Sequence, residues 1–339
     1  MKTKILLLFG GESTEHDVSV MSARNVYGAI DRAMFDVYLG FITRQGQWYL
    51  VDTFDEVSDD SVFLGKELVP LLGREAFRVE TEVLELDVIL PILHGKNGED
   101  GSVQALAQLL HIPVVGCDMT SSAIGMDKVT TKRVAAQIGL QVVPYYVYRR
   151  NTKMPDYEDL QRELGTVLFV KPARAGSSVG VHKVQNADEL RVAIEDGLRI
   201  DDTVLIEKSL AGIRELEVAA LGVPPYDTMS RVGEVLPGEE FYSYDDKYSA
   251  ESESSIRVPA EVSPEIEAEL KRQAKLLFTE MGASGISRID FFVTDDESIY
   301  LNEINTLPGF TDISMYPQLW NAEGVTYPEL ITRLIKQTI

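Results

Sequence analysis

Apolar runs and helical stripes alternate along the first third of the chain. The run Lys4–Phe9 (KILLLF) is short and almost wholly apolar, so it reads as a buried strand, and Gly10-Gly11 turn the chain. Val20, Ala23, Tyr27 and Ile30 then recur at helical spacing. DVILPIL at 87–93 is a second buried strand. It is followed by the polar loop HGKNGEDG, the helix SVQALAQLL and a further strand, IPVVG, that closes a βαβ-like unit. This alternation predicts an α/β fold that opens on a Rossmann-like parallel sheet, with ligand loops at the C-terminal ends of the strands.

A second unit starts near Ser121. Asp127 is placed to cap a helix that runs to Ile138 and stops at Gly139. Short strands follow around VVPYYVY, TVLFV, GVHKV and TVLIEK. A third unit starts near Arg214 with the strand LEVAALG and a long polar excursion from Gly238 to Ser255. Connections of that length are most often lids or disordered segments. Ser263-Pro264 open a helix lined by Ile266, Leu270, Leu277 and Met281, and Gly282 ends it. The expected domains are therefore 1–121, 122–213 and 214–339.

The last hairpin carries the most chemistry. In GISRIDFFVTDDESIYLNEINTLPGF, strands Ile286–Thr294 and Ile299–Asn305 would be joined by the loop Asp295–Ser298. If Thr294 faces Ile299, Asp290 falls opposite Glu303 and Arg288 opposite Asn305. All four side chains then project from one face. Two carboxylates and an amide oxygen suit Mg²⁺, which takes hard oxygen ligands and completes its shell with phosphate oxygens. A bulge would shift the register by one and break the set.

KPARAGSSVG, residues 171–180, is a second candidate. Lys171 ends a strand, and Gly176, Ser177, Ser178 and Gly180 can turn backbone N–H groups and hydroxyls toward phosphate. Arg174 offers a fork for the same anion. The nearby strand VLIEK adds Glu207 and Lys208, with Leu210 and Glu215 beyond it. Its edge could hold adenine by backbone bonds and ribose by a carboxylate.

The whole chain has 339 residues and a formal charge of −22. Such an acidic envelope argues against nucleic acid or an anionic membrane as the principal partner. It does not exclude ATP, because a local cationic pocket can sit inside it. The one cysteine, Cys117, excludes an internal disulfide and reads as a core residue in a buried strand. The apolar run at the N-terminus is too short for a signal peptide, and no stretch approaches a membrane span, so a cytoplasmic protein is expected.

Together these blocks resemble the ATP-grasp superfamily, and within it the D-alanine–D-alanine ligases. The resemblance rests on GGESTEHDVS, HGKNGEDG, MDK, VKPARAGSSVGV and RIDFF…LNEINTLPGF in that order, with DDKYS as a further match. It implies a three-domain ATP-grasp enzyme that takes ATP and two D-alanines through an acyl phosphate. Two Mg²⁺ ions are implied, with Mn²⁺ as a substitute and room for a monovalent cation. A homodimer is expected.

The resemblance also assigns residues. Glu15 would hold the first substrate's ammonium group, with His94 in the same pocket. Ser177 would link Glu15 to the lid tyrosine, Tyr248. Lys128, Lys171, Ser178 and Lys247 would meet phosphates, while Glu207, Lys208, Leu210 and Glu215 would line adenine and ribose. Asp290, Glu303 and Asn305 would be the metal ligands. Arg288 and the Gly309 N–H would stabilise the tetrahedral oxyanion, and Ser314 and the Met315 backbone would meet the second carboxylate. A hinge one residue longer than in some relatives leaves Glu217 as the competitor of Glu215 at the ribose. The Lys247-Tyr248 pair, and methionine rather than arginine at position 315, point to a peptide-forming enzyme over a D-lactate one. D-Serine as second substrate, and a non-catalytic nucleotide-binding regulator, are the other readings.

Overall fold

A computed structural model describes residues 2–57, 65–236 and 255–339. Lys247 and Tyr248 lie outside the described residues. The fold is α/β with the chain distributed over three sheets.

The N-terminal sheet has seven strands in the order Glu82–Glu85, Ala76–Val79, Lys66–Leu71, Trp48–Val51, Phe35–Ile42, Thr3–Gly10 and Val88–Ile92. Thr3–Gly10 lies between Phe35–Ile42 and Val88–Ile92 and runs parallel to both. It is buried from Ile5 to Phe9, which explains its unbroken apolar run. The expected parallel sheet is present in these three strands, and four further strands extend it in antiparallel pairing. IPVVG is not a strand either. It makes one parallel bridge, Val114 to Ile89, before Gly116 (φ 113°) turns the chain away. Cys117 accordingly sits past the sheet, buried, with its Sγ 3.4 Å from the Ser284 carbonyl oxygen. Burial pushes its thiol pKa up, as fits a core residue.

The central sheet is antiparallel, in the order His182–Val184, Leu168–Pro172, Thr203–Lys208 and Tyr145–Arg149. Alternation along Thr203–Lys208 divides its two faces. Val204 and Ile206 pack with Leu160, Leu190 and Ile194 from the helices Tyr157–Leu164 and Ala187–Ile200. Leu205 turns the other way, toward Val129 on the helix Lys128–Gln137. Asp127 caps that helix by accepting from the Thr130 N–H, as its position predicted.

The C-terminal sheet runs Ser255–Arg257, Thr228–Leu236, Ile213–Gly222, Gly285–Thr294 and Ile299–Asn305. Leu216, Val218, Ala220, Ile289 and Phe291 pack under the helix Pro264–Glu280, which Ser263 caps. The intervening residues, including Glu217, Arg288 and Asp290, face the opposite side and line a cleft.

Gly285 and Gly116 join the N- and C-terminal sheets. Gly285 has φ 72°, and a Cβ there would come 2.8 Å from the Gly116 Cα, while Ser284 Oγ donates to the Gly116 carbonyl at 3.0 Å. Gly285→Ala is expected to lower the stability by more than the ~1–2 kcal/mol of a left-handed residue, and the melting temperature with it. Gly282→Ala, at φ 66° with open space around it, should cost the backbone contribution alone. Equal losses in a thermal-shift comparison would show that the close approach does not matter.

Candidate active site

Lys171 ends the strand Leu168–Pro172 on the same face as Glu207, because Leu205 pairs with Lys171 and Phe169 with Glu207. Its Nζ lies 2.6 Å from Glu207 Oε2. Beyond it the loop turns through Ser177 (φ 48°), Ser178 (φ 59°) and Gly180 (φ 71°), two serines in succession in the left-handed region. Lys128 reaches the loop from its helix, donating to the Ala175 carbonyl at 2.8 Å and pairing with Glu303 Oε2 at 3.0 Å. Burial alone would depress Lys128, but the attraction of Glu303, with Glu207 and Glu99 behind it, outweighs this and lifts its pKa.

These groups line one cleft together with Ser177, Ser178, Lys208, Leu210 and Glu215. Arg174 does not contribute the expected anion fork. Its guanidinium binds Asp201 in bidentate fashion at 3.0 and 2.7 Å, and its backbone N–H donates to the same carboxylate at 2.8 Å. The fork is used to pin the root of the loop to the end of the helix Ala187–Ile200.

The C-terminal hairpin brings Asp290 opposite Glu303 and Arg288 opposite Asn305, as expected. The route differs. Val293, not Thr294, faces Ile299, and Thr294 N–H donates to the Ser298 carbonyl at 3.1 Å. The turn is thus one residue tighter than predicted, and a bulge between Asp290 and Phe291 restores the register. Asn302 is the extra residue. The bulge that would have broken the constellation under the longer turn preserves it under the shorter one.

The acidic groups here are held by cations and amides. Arg288 forks onto Asp290 at 2.8 and 2.7 Å and reaches Glu217 at 2.8 Å, while Asn305 Nδ2 donates to Asp290 at 2.9 Å. Burial disfavours the Arg288 charge, yet Asp290 and Glu217 more than offset it and raise its pKa. Among the described residues no cluster of three or more histidine, cysteine or carboxylate side chains is placed to hold a metal. The donor set is two carboxylates and amide oxygens, one of them the buried Asn302 Oδ1, which has no hydrogen-bond partner. That set fits a hard divalent ion whose remaining ligands come from phosphate.

A second cleft adjoins the first. Glu15, His94, Arg288, Gly309, Ser314 and Met315 line it, and it shares Gly176, Ser177, Glu215, Asn302 and Glu303 with the nucleotide-side cleft. Glu15 precedes the helix His16–Ala29 and accepts a hydrogen bond from the Ser177 hydroxyl across the two domains. His94 is buried between the Leu307 carbonyl (3.2 Å from Nδ1) and Ser22 Oγ (3.5 Å from Nε2). Burial lowers its pKa and favours neutral imidazole. Ser314 Oγ accepts from the Thr311 N–H at 3.1 Å. Met315 is buried in the core beside the cleft and is also part of the cleft's lining.

Two family models match this chain, "D-ala D-ala ligase N-terminus" over residues 4–117 and "D-ala D-ala ligase C-terminus" over residues 134–336. The chain belongs to the D-alanine–D-alanine ligase family. It is 42% identical to a D-alanine–D-alanine ligase of Oceanobacillus iheyensis, over 100% of this chain and 96% of that one. It is 39% identical to D-alanine–D-alanine ligase A of Escherichia coli, over 99% and 95%. Among solved structures, the VanG D-Ala:D-Ser ligase from Enterococcus faecalis superposes with a TM-score of 0.90 at 34% identity, covering all of both chains. The ATP-grasp fold expected from the sequence is therefore the fold of this family member.

Within this ligase fold, Glu217, which the sequence offered only as the competitor of Glu215 at the ribose, takes a different place. It is tied to Arg288 in the second cleft, whereas Glu215 reaches both clefts, which separates the two carboxylates the longer hinge had left in competition. Asn302 was hidden because only the bulge brings it to the site. Lys132 carries no signal in the sequence beyond its spacing of four from Lys128, which places both on one face of the helix.

Glu99 supplies a pH test. Burial, reinforced by Glu15, raises its pKa to about 8 against the opposing Gly95 N–H at 2.8 Å. Because the folded value is raised, the stability due to the neutral carboxyl is full below about 4.5 and lost as pH rises through about 8. Glu99→Gln should therefore match the parent near the acid end. Its advantage in melting temperature should grow with pH and level off above about 8; a pH-independent difference would contradict the assignment.

Proposed function

We propose that the chain joins two D-alanines to D-alanyl-D-alanine, converting ATP to ADP and phosphate and supplying a peptidoglycan precursor. The observation that carries this reading is the meeting of two clefts at Ser177 and Glu303. One has the lysines and turned loop suited to a nucleotide; the other has a carboxylate, an arginine and backbone N–H groups suited to amino acids.

In this reading the backbone from Glu207 to Leu210 lines adenine, with Lys208 beside it, and Glu215 takes the ribose hydroxyls. Lys128, Lys171 and Ser178 hold phosphates; Lys247, expected to join them, lies outside the described residues. Asp290, Glu303 and Asn305 hold two Mg²⁺. Bound there, the metal neutralises phosphate oxygens and the charge of the transferring γ-phosphoryl.

Glu15 binds the first D-alanine's ammonium group beside a neutral His94. That substrate's carboxylate attacks the γ-phosphorus, giving an acyl phosphate and ADP. Ser314 and the Met315 N–H orient the second D-alanine, whose amine attacks the acyl carbon before phosphate leaves. Arg288 and the Gly309 N–H face the tetrahedral oxyanion; a lost donor of this kind typically costs about 10²–10³ in rate. Ser177 holds Glu15 through its hydroxyl, and the expected partner Tyr248 lies outside the described residues.

The domains are read as 1–121, 122–213 and 214–339, and the first family match, ending at residue 117, supports the first boundary. We read the protein as a cytoplasmic homodimer; among the described residues no helix is long and apolar enough to cross a membrane.

Glu303→Gln should leave the circular-dichroism spectrum unchanged and reduce D-alanine-dependent ADP release by at least about 10³-fold. Near-normal turnover would remove Glu303 from the metal site. Offered D-alanine, D-serine and D-lactate together at neutral pH, the enzyme should form chiefly the D-alanine dipeptide by mass analysis. A dominant mixed product would transfer the reading to a D-serine or D-lactate ligase, and the absence of Mg²⁺- and D-alanine-dependent ADP release to a regulator.

A further inference from the structure

Lys132 lies one helical turn beyond Lys128, wholly enclosed, with a side-chain exposure of 0%. Its Nζ is 2.6 Å from Glu207 Oε1, and Lys171 Nζ is 2.6 Å from Oε2 of the same carboxylate. Glu207 thus stands between two ammonium groups. The Lys132 contact is an ion pair without hydrogen-bond alignment, and the Tyr145 ring lies 5.9 Å from its Nζ. Lys171 opens onto the nucleotide cleft, whereas Lys132 is absent from its lining. A buried ammonium that does not reach the ligand is costly to keep, so its use must lie in what it does to Glu207.

We propose that Lys132 is a positioning residue for nucleotide binding: it keeps Glu207 neutralised, so that Lys171 can exchange that carboxylate for a phosphate oxygen. This rests on the reading of Lys171 as a phosphate lysine. Without Lys132, moving Lys171 to phosphate would strand a carboxylate in the interior, and such uncompensated charges are strongly unfavourable. Lys171 would then stay on Glu207 and phosphate would lose a partner. The electrostatics agree. Burial opposes the Glu207 anion, yet the two lysines hold its pKa down to about 2. Lys132 itself is pulled below the ordinary lysine value by burial and by Lys171, with Glu207 opposing.

The test is a double-mutant cycle on the full chain, reading KM for ATP, KM for D-alanine and kcat. Lys132→Met should raise the KM for ATP by about tenfold or more, leaving the KM for D-alanine and kcat at saturating ATP within about threefold. In the Glu207→Gln background, where no carboxylate needs neutralising, adding Lys132→Met should change the KM for ATP by less than about threefold. An unchanged KM for ATP in a folded Lys132→Met protein would overturn the proposal. So would a loss equally large in the Glu207→Gln background, or a parallel rise in both KM values, since either marks a packing role. If Lys132→Met alone does not fold, the comparison of Glu207→Gln with the double variant still decides by the same threefold criterion. Lys171→Met is the separate control: if it leaves the KM for ATP unchanged, the phosphate role of Lys171 fails, whatever Lys132 does.

Discussion

Pairing of the buried cations in and behind the clefts with carboxylates is the interaction on which the rest of this molecule depends. Lys128 sits on Glu303, Lys171 and Lys132 on Glu207, and Arg288 on Asp290 and Glu217. The central sheet supplies Glu207, and the C-terminal sheet supplies Glu217, Asp290 and Glu303. The arrangement lets a strongly acidic chain carry a concentrated cationic pocket without exposing it. On the proposed reading, phosphate would take up Lys128 and Lys171, a divalent ion would take up the Glu303 carboxylate that Lys128 leaves, and Lys132 would keep Glu207.

The fold follows from giving each strand two different faces. In Ile213–Gly222, Leu216, Val218 and Ala220 are buried under a helix, while Glu217 faces the cleft and Ala219 and Leu221 join the core beside it. In Thr203–Lys208, Val204 and Ile206 are committed to packing, which leaves Leu205 and Glu207 to face the helix that carries Lys128 and Lys132. Site and core are alternate residues of the same strands, so rigidity in one is inherited by the other.

Much of this was legible in the sequence because its signals are local. Asp127 and Ser263 announce helix starts by their own hydrogen bonds, and the apolar run of the first strand can hardly be anything but buried. Asp290 and Glu303 could be paired because they belong to one hairpin. The antiparallel strands between Trp48 and Glu85 were not legible: they are short and carry polar residues on both faces, as in KELVPL and EVLE, so no period stands out. Arg174 with Asp201 and Lys132 with Glu207 escaped for a different reason. Each pair is assembled by the central sheet from distant segments, and nothing local distinguishes such an arginine or lysine from one facing water.

The bulge at Asn302 has a consequence for how this hairpin can change. In a plain hairpin the length of the turn fixes which side chains share a face, and a gain or loss of one residue reverses all of them. Here an adjustable step lies between the turn and the ligands. The exposed tip around Asp295–Glu297 can therefore drift in length over generations while Asp290, Glu303 and Asn305 stay together, provided the bulge moves or closes to absorb the change. The carboxylate face is insulated from its own loop.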